Sequence, residues 1–134
     1  MRIKKRIYEE IVAAFTNAPI ESGGILGRKN DTVCKFFFDG SGSPTEYHIR
    51  TEVLNPVIAE WAKSGILFSG VIHSHPNGVG VLSETDKAYA EKILTSFPYL
   101  KYVVFPIVTF LNGKMKIFCY RYDGHWLKEN LVEV

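Results

Sequence analysis

The sequence predicts a mixed α/β or α+β domain of about six strands and about three helices. Three observations carry that expectation. Apolar residues return at helical spacing near the start of the chain, a short apolar run fills 66–72, and Asn112-Gly113 separates two runs rich in β-formers.

The elements follow in order. Ile7, Ile11, Val12 and Phe15 put one apolar face on a helix over about 6–17, with Pro19 as a stop beyond it. The basic cluster at 2–6 opposes the dipole of that helix, so part of it is expected as a short leading strand with a solvated face. Residues 22–28 read as a strand interrupted by Gly23, Gly24 and Gly27, where another backbone or a ligand comes close. It is not a phosphate loop, because no Gly-Lys-Ser/Thr follows and no helix starts there. Asn30-Asp31 is a turn and 32–39 its hairpin partner, followed by a loop at 40–44 and a further strand at 45–50. A helix is expected over about 55–64, with Asn55 as cap, Pro56 at its first position and Gly65 at its stop. Residues 66–72 form a central buried strand that runs into His73-Ser74-His75-Pro76-Asn77-Gly78. Ser83-Glu84-Thr85-Asp86 opens a helix to about Ser96, closed by Pro98. Residues 102–111 and 114–122 then make a two-residue hairpin around Asn112-Gly113.

Composition narrows the function. A chain of 134 residues, 46 % hydrophobic and 22 % charged, is expected to form one domain over 1–134 that buries a core without staples. It is too short for a TIM barrel. A formal charge of +2 argues against a nucleic-acid partner, since such affinity rests on many phosphate contacts. The aromatics lack the interleaved Lys and Arg of a base-stacking platform and belong to the core. Cys34 and Cys119 cannot make a disulfide framework and read as reduced, partly buried thiols. No apolar signal segment follows the basic start, and no stretch approaches the roughly 18 apolar residues of a membrane span, so a cytoplasmic protein with no membrane partner is expected.

His73 and His75 stand two apart at a strand end, so their side chains leave the same face. Two adjacent imidazoles suit a divalent metal such as zinc, although such a pair is as readily a hydrogen-bonded one. Ser83 and Asp86 have the spacing of a capping box, which needs no metal. Yet a strand ending in two histidines, a loop of seven residues and a helix with Asp86 in its first turn can return that carboxylate to the strand end. Three protein ligands with a fourth position for water is the pattern of a catalytic zinc. Such a site needs a base that is not itself a ligand, and Glu21, Glu46, Glu52, Glu60, Glu84 and Glu91 are candidates. Glu84, beside Ser83, is expected to point elsewhere. Glu21 precedes the glycine-rich strand.

The string Glu21…His73-Ser74-His75-Pro76-(six residues)-Ser83-Glu84-Thr85-Asp86, with Glu21-Ser22-Gly23-Gly24-Ile25-Leu26-Gly27 upstream, resembles the signature of the JAMM (MPN+) metalloproteases. The likeness spans about 6–122, and its specific part is confined to 21–27 and 71–86. It implies a JAMM/MPN-like, cytidine-deaminase-like fold, three layers built on a mixed, curved sheet. It further implies one zinc per chain on His73, His75 and Asp86, Glu21 as general base and acid, and Ser83 as a donor to the oxyanion. Spending Ser83 on the helix cap would weaken that last role. Leu82 stands where many members carry Pro, and Gly23 where many carry Cys; neither is a ligand. The chain lacks room for the large insertions of eukaryotic relatives and is similar to compact bacterial and archaeal members. That similarity implies a metallopeptidase or isopeptidase acting on a ubiquitin-like or sulfur-carrier protein, whose glycine-rich C-terminal tail could add as an extended strand, and a monomer or homodimer.

The alternative is a catalytically silent scaffold that keeps the fold and binds a partner. A cupin-like site would need strands throughout, whereas a helix follows Ser83. The chain has no His-Glu-x-x-His, no Pro-Cys-x-x-Cys and no Asp-His after His75, which sets aside other metal hydrolases. His48 and His125 read as surface or packing residues.

Overall fold

A computed structural model describes residues 1–18, 21–40 and 50–134. The expected loop at 41–44, the strand from 45, Pro19, Glu46 and His48 lie outside them. The described elements are β1 (Arg2–Ile3), α1 (Lys5–Thr16), β2 (Gly23–Lys29), β3 (Thr32–Phe38), α2 (Thr51–Lys63) and β4 (Leu67–Ser74). They continue as α3 (Glu84–Ser96), β5 (Val103–Val104), β6 (Ile107–Leu111), β7 (Lys114–Tyr122), β8 (Trp126–Glu129) and β9 (Val132–Glu133).

The strands form one mixed sheet in the order β5-β7-β6-β4-β2-β3-β1-β9, with β8 added on β7. Side chains alternate across the central strands. On β2 Ile25 faces the layer of α2 and α3 while Leu26 faces α1, and on β4 Val71 and Ile72 divide the same way. The α1 layer packs Ile7, Ile11 and Phe15 on Leu26, Ile72 and Val108. The other packs Leu54 and Trp61 of α2 with Ala90 and Ile93 of α3 on Ile25, Phe68, Val71 and Phe105. A three-layer mixed α+β fold results. Among the described residues no helix is long and apolar enough to cross a membrane.

Turn chemistry fixes the registers. Asn112 and Gly113 both take positive φ, 53° and 76°, which the tight turn joining Leu111 to Lys114 demands. The expected close approach at the glycines is real: a methyl group on Gly24 would stand 2.2 Å from the Phe37 carbonyl oxygen.

Three expectations change. There are nine strands among the described residues rather than about six. The short edge strands β8 and β9 have exposed, weakly patterned sequences and are set by their partners β7 and β1. The run at 102–111 is two strands, β5 and β6, because Pro106 has no N–H for the ladder. Finally, α2 starts at Thr51, and Pro56 lies inside it. Starting at 55 would leave out Leu54, which is fully buried two turns from Trp61 on the same face. Burial of that face outweighs the hydrogen bond that Pro56 cannot make.

Candidate metal centre

The site is assembled by the antiparallel pairing of β2 and β4. Gly23 lies opposite His73, the Ser74 N–H donates to the Ser22 carbonyl at 2.9 Å, and the Ser22 N–H donates to Ser74 Oγ at 3.1 Å. Continuing that register sets Glu21 opposite His75. Glu21 takes a left-handed backbone, φ 64°, and is only 9 % exposed.

Beyond β4 the loop is pinned to β6. The His75 N–H donates to the Val108 carbonyl at 2.9 Å, the Gly78 N–H to that of Phe110 at 3.0 Å, and the Thr109 hydroxyl to that of Pro76 at 2.8 Å. Tyr120 adds a bond to the Gly80 carbonyl at 2.6 Å. These bonds fix the direction of His75 independently of any ligand. His73 is held from the other side by the Phe105 ring, whose centroid lies 5.1 Å from its own.

Asp86 enters from α3. The capping box forms as the spacing predicts: the Asp86 N–H donates to Ser83 Oγ at 3.0 Å, and the Ser83 N–H donates to Asp86 Oδ2 at 2.9 Å. The cap also turns the carboxylate toward the histidines. His73 Nε2 lies 3.0 Å from Oδ1 and His75 Nε2 lies 3.1 Å from Oδ2. Burial pushes the Asp86 carboxyl up, but hydrogen bonds from His73 and His75, the charge of His73 and the Ser83 N–H outweigh it, holding the group far below the usual carboxylate range.

His73, His75 and Asp86 offer one ligand atom each within 4.8 Å of one another, and they could hold a metal ion. The two Nε2 atoms stand 2.9 Å apart. A neutral imidazole carries one N–H, so protons on both Nε2 atoms serve Asp86 but oppose each other. With either one removed, Asp86 loses a donor. A cation between three lone pairs resolves the conflict. Ligands about 2.1 Å from a tetrahedral ion stand roughly 3.4 Å apart, slightly wider than this triangle. His73 Nδ1 is buried with no hydrogen-bond partner among the described residues.

The group opens on a cleft of about 950 Å³ between α2 and α3. Glu21, His75, Ser83 and Asp86 all line it, and His73 lies behind them at 3 % exposure. Of the other candidate bases, Glu60 and Glu84 are solvated and paired with Lys63 and Lys87, Glu91 meets the Tyr122 hydroxyl, and Glu52 is exposed. His125 is exposed, as expected, and both cysteines are free thiols, Cys119 fully buried. Ser83 accepts in the cap, which leaves its own O–H proton uncommitted among the described residues.

The sequence reading missed the far wall. Thr51, Asn55 and Ile58 reach the cleft from α2, and Tyr89, Lys92 and Ile93 from α3. Those of α3 stand three, six and seven residues after Asp86, so the helical period would have found them.

The family described as prokaryotic homologues of the JAB domain matches residues 4–119. Among solved structures, a JAB1/MPN domain protein from Archaeoglobus fulgidus matches with a TM-score of 0.59 over 98 % of this chain and 97 % of that one. Identity is 19 %, so that likeness shows the fold alone. No curated protein matches the chain.

Proposed function

This chain belongs to the family of prokaryotic homologues of the JAB domain, and from that premise we propose that it is a zinc-dependent peptidase or isopeptidase. The observation that carries the reading is the meeting of His73, His75 and Asp86 at the edge of a cleft whose wall also presents Glu21 and Ser83. In this reading one zinc per chain sits on the three ligands. When bound there it supplies Lewis acidity for a scissile carbonyl and lowers the pKa of water.

The remaining roles belong to the chain. The Glu21 carboxylate takes a proton from the attacking water and returns it to the leaving amine. The Ser83 hydroxyl donates to the oxygen on which charge develops, using the proton that the cap leaves over. Ile58, Phe68 and Phe97 on the cleft wall exclude water and favour an extended, small-residue segment. The proposed substrate is therefore the glycine-rich C-terminal tail of a ubiquitin-like or sulfur-carrier protein, joined through a peptide or isopeptide bond, and the proposed setting is the cytoplasm.

The test is elemental analysis of tag-free protein beside His73→Ala, followed by hydrolysis of glycine-tailed carrier conjugates. About one zinc per chain, lost in the variant, with cleavage abolished by Glu21→Gln but zinc retained, is the expected result. A folded protein that takes up no zinc when metal is supplied would leave a silent scaffold as the reading.

A further inference from the structure

At the opposite end of β2 and β4 lies a second cavity, of about 270 Å³, on the α1 side of the sheet. It shares no lining residue with the cleft. Arg28, five residues along β2 from Gly23 and so roughly 16 Å away, forms part of its wall with Tyr102, Arg121, Arg2, Asp31 and Glu129.

Arg28 is 8 % exposed, and its Nη1 is buried with no hydrogen-bond partner among the described residues. No carboxylate among the described residues lies within ion-pair distance of it. The two acidic side chains on the same wall are engaged elsewhere. Glu129 Oε1 accepts from Arg121 Nε at 3.0 Å, and Asp31 Oδ1 accepts from the Tyr102 hydroxyl at 3.5 Å. A buried charge is ordinarily paired, because leaving it unpaired forfeits its hydration with nothing in exchange. What holds Arg28 is an aromatic face: its guanidinium carbon lies 4.0 Å from the Tyr102 ring centroid, and that of Arg121 lies 5.1 Å from the same ring. The Nη1 group that Tyr102 leaves without a partner among the described residues can donate to an oxygen of a carboxylate or phosphate.

We propose that the cavity walled by Arg28, Tyr102 and Arg121 is a second binding site, separate from the metal centre, for one small oxyanion of the phosphate or carboxylate class. Arg28 is the principal ligand, Tyr102 orients it, and Arg121 with Arg2 at the exposed edge supplies the remaining positive charge. The volume fits an inorganic oxyanion or the terminal carboxylate of a chain, and excludes a bulky ligand. Being remote from the His–Asp group, the site serves binding or regulation rather than bond cleavage.

Isothermal titration of the full-length protein with inorganic phosphate, and separately with acetate, at fixed ionic strength tests this. One saturable site with a Kd of about 1 mM or tighter is expected for at least one anion. Binding of phosphate alone assigns the site to phosphoryl groups, and of acetate alone to carboxylates. Arg28→Gln should weaken binding at least tenfold, whereas His73→Ala should leave it unchanged. If Arg28→Gln loses its native circular dichroism, Arg121→Gln is read instead, with a several-fold loss expected. No saturable heat with either anion overturns the proposal, as does binding that survives in the folded variants or vanishes in His73→Ala.

Discussion

Glu21 sits where a side chain other than glycine is costly, since a left-handed backbone costs an L-residue roughly 1–2 kcal/mol. The reciprocal bonds between Ser22 and Ser74 hold the strand end that imposes this conformation. Strain at a residue argued to move protons is where a fold commonly keeps it. Cys119 shows burial acting without such a purpose. Desolvation pushes its thiol up from 9.0 to about 11, opposed by the charge of the amino terminus and aided by the Glu129 carboxylate. A group whose pKa is raised by folding contributes stability that is complete below its unfolded value and disappears as pH rises through its folded value. Cys119 therefore favours the folded state up to about pH 9, and its contribution fades by pH 11, a loss of about 2 kcal/mol. Urea midpoints of wild type and Cys119→Ala at pH 8 and pH 10.5 check this. The wild type should lose more stability than the variant over that interval, and parallel losses would show that the thiol is not desolvated.

α3 carries two burdens at one end, since Ser83 both caps the helix and stands on the cleft wall. Two substitutions separate them. Ser83→Ala removes cap and hydroxyl together and should cost about 1 kcal/mol of stability along with most of the hydrolytic rate. Ser83→Asn keeps a capping oxygen but has no hydroxyl, so it should retain wild-type stability and still lose rate. Thermal unfolding and peptidase assays on both variants give the answer. If Ser83→Asn is as active as wild type, the residue only caps. The same helix shows what the sequence made legible. Its start and stop were written in local chemistry, Ser83 at one end and Pro98 beyond the other, and so was the Asn112-Gly113 turn. The start of α2 was not, because a long-range demand, the burial of Leu54, overrules the local signal of Asn55-Pro56. β8 and β9 were hidden for a related reason: an edge strand of two to four half-exposed residues takes its conformation from its neighbour.

Across the whole molecule, the group that could hold a metal was legible because strand spacing puts His73 and His75 on one face and the capping box returns Asp86 to them. The buried Arg28 was not, since only the folded sheet reveals that no carboxylate among the described residues reaches it. These three side chains also join two layers. His73 and His75 belong to the sheet and its loop, while Asp86 belongs to a helix whose fully buried residues are Ala90 and Ile93, with Tyr89 and Leu94 packed half-buried beside them. On the proposed reading, a metal bridging α3 to the sheet would add to the docking free energy that these apolar contacts supply. A metal at a hundredfold excess over its Kd stabilises the folded state by about 2.7 kcal/mol. In a chain of this length that is worth roughly 10 °C in Tm. Chelation should therefore lower the Tm by about that much, and zinc should restore it. His73→Ala and Asp86→Asn should show no response to either. Amide exchange locates the effect: loss of metal should speed exchange in α3 more than in α1, whose Ile7, Ile11 and Phe15 anchor it from the opposite face. Equal loosening of both helices would mean that the ion acts on global stability alone. An unchanged Tm would mean that His73, His75 and Asp86 hold no metal, and the hydrolytic reading would fall with them.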